Sequence, residues 1–310
     1  MSGDITLREL LEVQAHFGLP STALVEKDWH VVKALAAIAA VDTAPVQLVF
    51  GGGTALSRAH RLIRRMSEDI DLKIVSDGPL PRSALRRLRD TLTDALLRAG
   101  FRFDPDNPAH RDSGNASRYT VYRLPYTSIT AGEGALRPEI QIETAVWPLR
   151  RPAVALPVIS FMAEAVQRPP EVATIACASI VETAAEKFVA LTRRVGAEMA
   201  DAGGPRDSTL VRHLYDLHVI REHYDPAETI ALVRTIMLAD ADAYGHQFPA
   251  YRANPIAETI RAVEGLAVDA SYPRRFAAFS RDMVYGDPIE YVACLDTLKI
   301  LAAHLDEPHA

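Results

Sequence analysis

Asp69-Ile70-Asp71-Leu72 sets two carboxylates two residues apart inside Ser67–Val75, a run that alternates polar and apolar side chains. Residues i and i+2 of a β-strand point the same way. Asp69, Asp71 and Lys73 therefore share one face, and Ile70, Leu72 and Ile74 the other. Burying the apolar face fixes the strand and leaves the acids toward a cleft. Such a pair bridges one or two divalent cations through hard oxygen ligands, the arrangement that phosphoryl and nucleotidyl transfer require. A solvated strand edge with two surface acids has the same spacing, so the pair does not decide the matter alone.

The preceding residues narrow the choice. Val46–Phe50 is a short, mostly apolar run that ends at Gly51-Gly52-Gly53, and a helix-like stretch follows from Thr54 to about Ile63. Glycines between strand and helix let the backbone approach a ligand, and N–H groups at a helix start favour phosphate. Thr54 offers a further hydroxyl or an N-cap. Further along, Pro138–Val146 alternates as well. Glu139, Gln141 and Glu143 fall on one face, Ile140 and Ile142 on the other.

Gly52-Gly53-Thr54-Ala55-Leu56-Ser57, followed by Arg65-Met66-Ser67-Glu68-Asp69-Ile70-Asp71-Leu72, closely resembles the nucleotidyltransferase AbiEii/AbiGii toxin family of the polymerase-β-like superfamily. Val25-Glu26-Lys27-Asp28-Trp29-His30 looks like that family's N-terminal signature. The resemblance implies that Asp69 and Asp71 hold Mg²⁺ (or Mn²⁺). It implies a nucleoside triphosphate whose phosphates meet Gly52, Gly53, Thr54 and Ser67. It also implies a third metal-holding acid from a nearby strand. Glu143 best matches the family's apolar-x-apolar-Glu segment, with Glu139 as the other candidate.

Downstream, Lys187 has Thr183, Ala184, Ala190 and Leu191 as helical neighbours, all small or apolar. A lysine there either snorkels out or points into a cleft. The family places a Glu-Lys pair here, which makes Lys187 a phosphate-binding cation assisted by Arg194. Arg212-His213-Leu214-Tyr215-Asp216-Leu217 resembles the family's Tyr-Asp-Leu helix motif. Val219 and Ile220 one turn on predict that Asp216 is partly buried, and a buried aspartate needs a partner. Arg212, Lys187 and Arg194 are the candidates. The resemblance makes Asp216 an active-site acid that orients the lysine rather than touching metal. One departure is His213, where the family has an acid before the tyrosine; any role of that acid is lost or moved to Asp207. His213, His218 and His223 step by five residues, which does not keep them on one helix face, so they do not form a metal site.

Several elements must position these groups. Residues 6–40 read as helical with a break at Gly18-Leu19-Pro20, Pro81–Arg98 as an amphipathic helix, and Phe101–Phe103 and Arg118–Leu124 as strands. Residues 104–117 and 128–137 read as loops. Prolines at 148, 152, 157, 169 and 170 mark a connector. Beyond it, candidate helices are 179–196, 208–223, 226–244, 254–267 and 288–305. The predicted fold is α+β. Residues 1–165 form a polymerase-β-like nucleotidyltransferase core with a mixed sheet, flanking and N-terminal helices. Residues 166–310 form a helical bundle that completes a nucleotide cleft.

Bulk properties set outer limits. The 310 residues are 48% hydrophobic and 24% charged, with a net charge of −6. That charge argues against coating nucleic acid through bulk electrostatics but leaves room for a local arginine patch. No segment has the apolar length of a membrane span, and the first twenty residues do not read as a signal peptide, so the protein is expected to be cytoplasmic. Cys177 and Cys294 have no metal-ligand spacing and read as buried thiols. By resemblance, the chain is the toxin of a bacterial toxin–antitoxin or abortive-infection system. It would transfer nucleotides to an RNA acceptor such as tRNA, with a cognate antitoxin encoded nearby that need not touch it. A small-molecule or protein hydroxyl as acceptor, and a non-catalytic nucleotide-binding module, are the alternatives.

Overall fold

The acid-bearing strand is the central one of a seven-stranded mixed sheet. In the computed structural model, which describes residues 5–130, 136–201, 204, 206–245 and 248–305, the chain forms two compact units, Met1–Ala178 and Ser179–Ala310. The first opens with helices α1 (Leu7–Phe17) and α2 (Thr22–Ala39). A capping box between Thr6 and Glu9 starts α1, left-handed Gly18 ends it, and the Ser21 hydroxyl caps α2. There follow β1 (Gln47–Gly51), α3 (Gly52–Arg58), β2 (Asp69–Val75) and α4 (Arg82–Arg98). Strands β3 (Arg111–Gly114), β4 (Tyr119–Pro125), β5 (Glu139–Val146) and β6 (Val154–Val158) come next, then α5 (Phe161–Ala165) and β7 (Val172–Cys177).

The strand order is β3-β4-β5-β2-β1-β7-β6. β2 runs antiparallel to β1 and parallel to β5. The predicted alternation of β2 holds: Ile70, Leu72 and Ile74 are buried, while Asp69, Asp71 and Lys73 are half-buried. Ile140 and Ile142 of β5 join the same core, together with Val32, Leu35 and Ile38 of α2 and Leu88, Leu92 and Leu96 of α4. Each fully buried isoleucine or leucine contributes roughly 1.5–3 kcal/mol. This apolar layer fixes the face on which the acids stand.

The second unit is helical. It contains α6 (Ile180–Ala200), α7 (Arg212–Val219), α8 (Pro226–Tyr244), α9 (Pro249–Ala253), α10 (Pro255–Val268), α11 (Ser271–Met283) and α12 (Tyr291–Ala303). Helix α6 packs against α7, α8 and α10 and supplies Ala184, Ala185, Phe188, Leu191 and Val195 to the interior. The α+β class with a mixed sheet followed by helices is thus the one expected. No helix among the described residues is long and apolar enough to cross a membrane.

Four local readings need correction, the first being that residues 104–117 are not all loop but contain the edge strand β3, paired with β4. Phe101–Phe103 is not a strand; both phenylalanines fill the core beside α4 without pairing in the sheet. The proline-marked connector contains β6 and β7, because Pro157 falls at a register irregularity where no ladder donor is needed. Helix α11 was not expected, since Pro273 sits in its first turn, where a missing N–H costs nothing.

Candidate active site

Gly52 begins α3 with φ of +70°, a backbone region that favours glycine. A Cβ at this position would lie 1.9 Å from Oδ2 of Asp71. The glycine therefore admits a carboxylate of the chain's own against the turn. At Gly53 a Cβ would meet Nη2 of Arg65 at 2.4 Å and Oγ of Ser67 at 2.6 Å. Buried Thr54 donates its hydroxyl to the carbonyl of Asp69. Gly51 occupies the N-cap position without a side-chain cap. Thr54 is thus an anchor between α3 and β2, not the cap its type suggested. Gly51 and Asp71 also pair in register.

The sheet sets the spacing of the acids. Asp69 is in register with Gln141, and Asp71 with Glu143. Parallel neighbours are about 4.8 Å apart, so Glu143 stands beside Asp71 on the same half-buried face. Glu139 lies one step beyond Gln141, and it is Glu143 that stands in register with Asp71. Gln141 Nε2 donates to Glu143 Oε1 at 2.6 Å, and the Tyr119 hydroxyl donates to Glu143 Oε2 at 3.0 Å. Burial and then the Glu143 charge push the Tyr119 hydroxyl pKa up, which keeps it a donor.

Cations close the other side of the face. Arg137 donates through Nε to Glu68 Oε1 at 3.3 Å, through Nη1 to Gln141 Oε1 at 2.7 Å and through Nη2 to Asp69 Oδ1. Fully buried Lys27 pairs with Glu68 at 3.0 Å and donates to the carbonyl of Arg137 at 2.7 Å. Lys27 belongs to a run of three buried charges on α2. Glu26 accepts from the hydroxyls of Ser128 and Thr130 and the N–H of Ile129. Asp28 accepts from the N–H of Phe161 at 2.7 Å and pairs with Arg58 at 3.1 Å. Consecutive helical residues diverge by about 100°, so the three reach three different segments. The segment Val25–His30, noticed only as a signature, is a structural hub.

A hard divalent cation suits the donors in kind, since Asp69, Asp71 and Glu143 present carboxylate oxygens on one face. Among the described residues, however, no group of three or more histidine, cysteine, aspartate or glutamate side chains converges on a cation position. Asp69 and Glu143 are turned to Arg137, Gln141 and Tyr119.

The second unit holds the remaining predicted residues. Lys187 Nζ lies 2.7 Å from Asp216 Oδ2, with side-chain exposures of 7% and 0%. Asp216 is more deeply buried than its neighbours in sequence suggested, and Lys187 is a partner. Arg194 pairs with Asp207 at 3.2 Å, both partly exposed. Burial works against that carboxylate, but hydrogen bonds from Thr209 and the charge of Arg194 hold its pKa below the ordinary value.

Sequence reasoning missed Arg137 and Tyr119 as partners of the acids, and Lys27 and Glu68 as the pair that holds Arg137. Gln141 was visible on the acidic face of its strand. Arg137 follows a loop, and no periodicity points to it.

Residues 33–297 match the family model described as nucleotidyl transferase AbiEii toxin, type IV TA system. No curated protein sequence matches the chain. Among solved structures, the chain is similar to MenT4, a nucleotidyltransferase toxin from Mycobacterium tuberculosis H37Rv, with a TM-score of 0.58 and 17% identity over 99% of this chain and 91% of that one. JHP933 from Helicobacter pylori aligns with a TM-score of 0.39 and 15% identity over 97% of this chain and 92% of that one. At such identity the MenT4 match speaks for the fold.

Proposed function

Because the chain belongs to the nucleotidyl transferase AbiEii toxin family of type IV toxin–antitoxin systems, we propose that it transfers a nucleotidyl group from a nucleoside triphosphate to a hydroxyl of an RNA such as tRNA. The observation that carries this reading is Asp71, seated against Gly52 on one side and in register with Glu143 on the other. Asp69, Asp71 and Glu143 would hold Mg²⁺ or Mn²⁺. When bound, the cation would offset phosphate charge and lower the pKa of the attacking hydroxyl.

The chain's own residues do the rest. Gly52, Gly53 and Ser67 would meet the triphosphate, while Thr54 holds α3 to β2. The acceptor oxygen bonds to the α-phosphorus, the bond to the β,γ-diphosphate breaks, and pyrophosphate leaves. The acceptor's proton passes to Glu143, whose orientation Gln141 and Tyr119 fix. On the resemblance alone, Lys187 serves as the phosphate-facing cation, Asp216 as the acid that orients it, and Arg194 as an assisting cation. A cognate antitoxin that need not contact this chain completes the system.

The test is incubation with each α-labelled nucleoside triphosphate and separate pools of tRNA, small molecules and protein, with and without divalent cation. Label on tRNA is the expected result. Label confined to small molecules or protein would move the proposal to a different acceptor. No transfer under any condition would leave a nucleotide-binding module.

A further inference from the structure

Arg137 joins two of the three acids through one guanidinium. It reaches Asp69 Oδ1 directly and Glu143 through Gln141, whose carbonyl accepts from Nη1 and whose amide nitrogen donates to Glu143 Oε1. Resting on the nucleotidyltransferase reading above, we propose that Arg137 is the counter-ion of the carboxylate face when no divalent cation is bound, and that a cation binding at Asp69 displaces it.

The argument is geometric. A hard cation takes carboxylate oxygens at about 2.0–2.6 Å. Asp69 Oδ1 already receives Nη2 of Arg137. A guanidinium and a divalent ion on one oxygen would bring like charges within a few ångströms in a half-buried site, where screening is weak. One of them leaves. Arg137 is built to move without disturbing the backbone. Its carbonyl is held by Lys27 at 2.7 Å and its N–H by Glu68 Oε2 at 3.1 Å. Lys27 is itself fully buried, so the main chain is pinned at both ends of the residue. The side chain, in contrast, is 37% exposed. On leaving Asp69 it keeps Glu68, which already accepts from Nε. The guanidinium therefore exchanges one carboxylate while retaining another. The same exchange relaxes its hold on Gln141 and so frees Glu143 to turn toward the cation.

Mn²⁺ binding to the full chain, read by loss of the free-ion paramagnetic resonance signal, tests this. The proteins are wild type, Arg137→Gln, Arg137→Lys and Asp71→Asn, with melting temperatures taken in chelator. Mutual exclusion is a coupling between two ligands, so Arg137→Gln should bind Mn²⁺ at least about five-fold more tightly than wild type. It should also melt lower in chelator, where Glu68 and Asp69 lose their shared cation, and recover as Mn²⁺ is added. Arg137→Lys, which keeps the charge but not the fork, should bind with intermediate affinity and serves if the glutamine variant does not fold. Equal or weaker Mn²⁺ binding by the folded Arg137 variants would overturn the counter-ion role while leaving the metal site in place. Absence of binding to wild type and Arg137 variants alike, as in Asp71→Asn, would overturn the metal reading on which the proposal rests.

Discussion

Two sets of charges distinguish this molecule, and they differ in how much water they see. On the central strand, Asp69 and Asp71 are half-buried, and Glu143 beside them is held by donors from Tyr119 and Gln141. In the helical unit, Lys187 and Asp216 are sealed from solvent and face one another at 2.7 Å. The first set can exchange partners at modest cost, because water still reaches it. The second has lost most of its hydration, so removing one member takes a close opposite charge from a buried ion. Burial, more than residue type, separates groups that exchange partners readily from groups tied closely to the partner they have.

The sharpest way to break that comparison is Asp216→Asn, which takes from buried Lys187 the carboxylate that lies 2.7 Å from its Nζ. Chemical denaturation should show a loss of about 3–5 kcal/mol. Combining it with Lys187→Met should recover much of that loss, because the buried ammonium is removed together with its carboxylate. A single substitution with no effect on stability would place the pair in the same class as the carboxylate face.

Next in size is Gly52→Ala. The new Cβ would sit on the Asp71 carboxylate, at a φ of +70°. Transfer activity should fall about 100-fold, the scale of a misplacement near 1 Å, with a stability loss of roughly 1–2 kcal/mol from the backbone conformation. Retained activity with normal stability would mean that Asp71 does not need its seat at the turn.

Gly52 also shows what the sequence could and could not convey. Strand, glycine turn and alternating acids were legible because each is a local pattern of period two or a break in one. The reason for the glycine was not. It admits the chain's own Asp71, whose approach depends on the pairing of β1 with β2. Thr54 is similar: its hydroxyl type suggested a cap or a phosphate contact, but the carbonyl it binds belongs to a strand fifteen residues away. Arg137 had no local signature, since its partners are set by the register of β5 against β2. The Lys187–Asp216 pairing was open among three cations until the packing of α6 against α7 placed them together. Phe101–Phe103 failed for the opposite reason, because an apolar-x-apolar triplet marks burial without requiring a strand.

A smaller effect is expected for Tyr119→Phe, which removes the hydroxyl that donates to Glu143 Oε2. Transfer should drop about ten-fold, about 1.4 kcal/mol of lost transition-state positioning, with only a small fall in melting temperature because Tyr119 is itself partly exposed. An unchanged rate would remove Tyr119 from the account.

The smallest effect lies in pH dependence, where burial can be read directly. Burial pushes the Asp28 carboxyl up to about 6 against the pull of Arg58. It pushes the His30 imidazole down to about 4. The folded state holds the Asp28 proton longer than the unfolded chain, so that stabilisation is complete below about pH 4 and lost as pH rises through about 6. For His30 the sign reverses: its contribution is present above about pH 6.5 and lost as pH falls through about 4. In wild type the two oppose each other. Melting temperature should therefore fall from pH 4 to 6 in His30→Phe and rise from pH 4 to 6.5 in Asp28→Asn. Parallel profiles in both variants would contradict the burial of these groups.

The central claim is that the central strand's acids perform nucleotidyl transfer. It is tested most directly by pyrophosphate release from nucleoside triphosphate in the presence of tRNA and Mg²⁺, comparing wild type with Asp71→Asn at matched melting temperature. The account predicts release by wild type and a loss of at least about 1,000-fold in the variant, the scale of removing a group that stabilises the transition state. Undiminished release by a folded Asp71→Asn protein would contradict it.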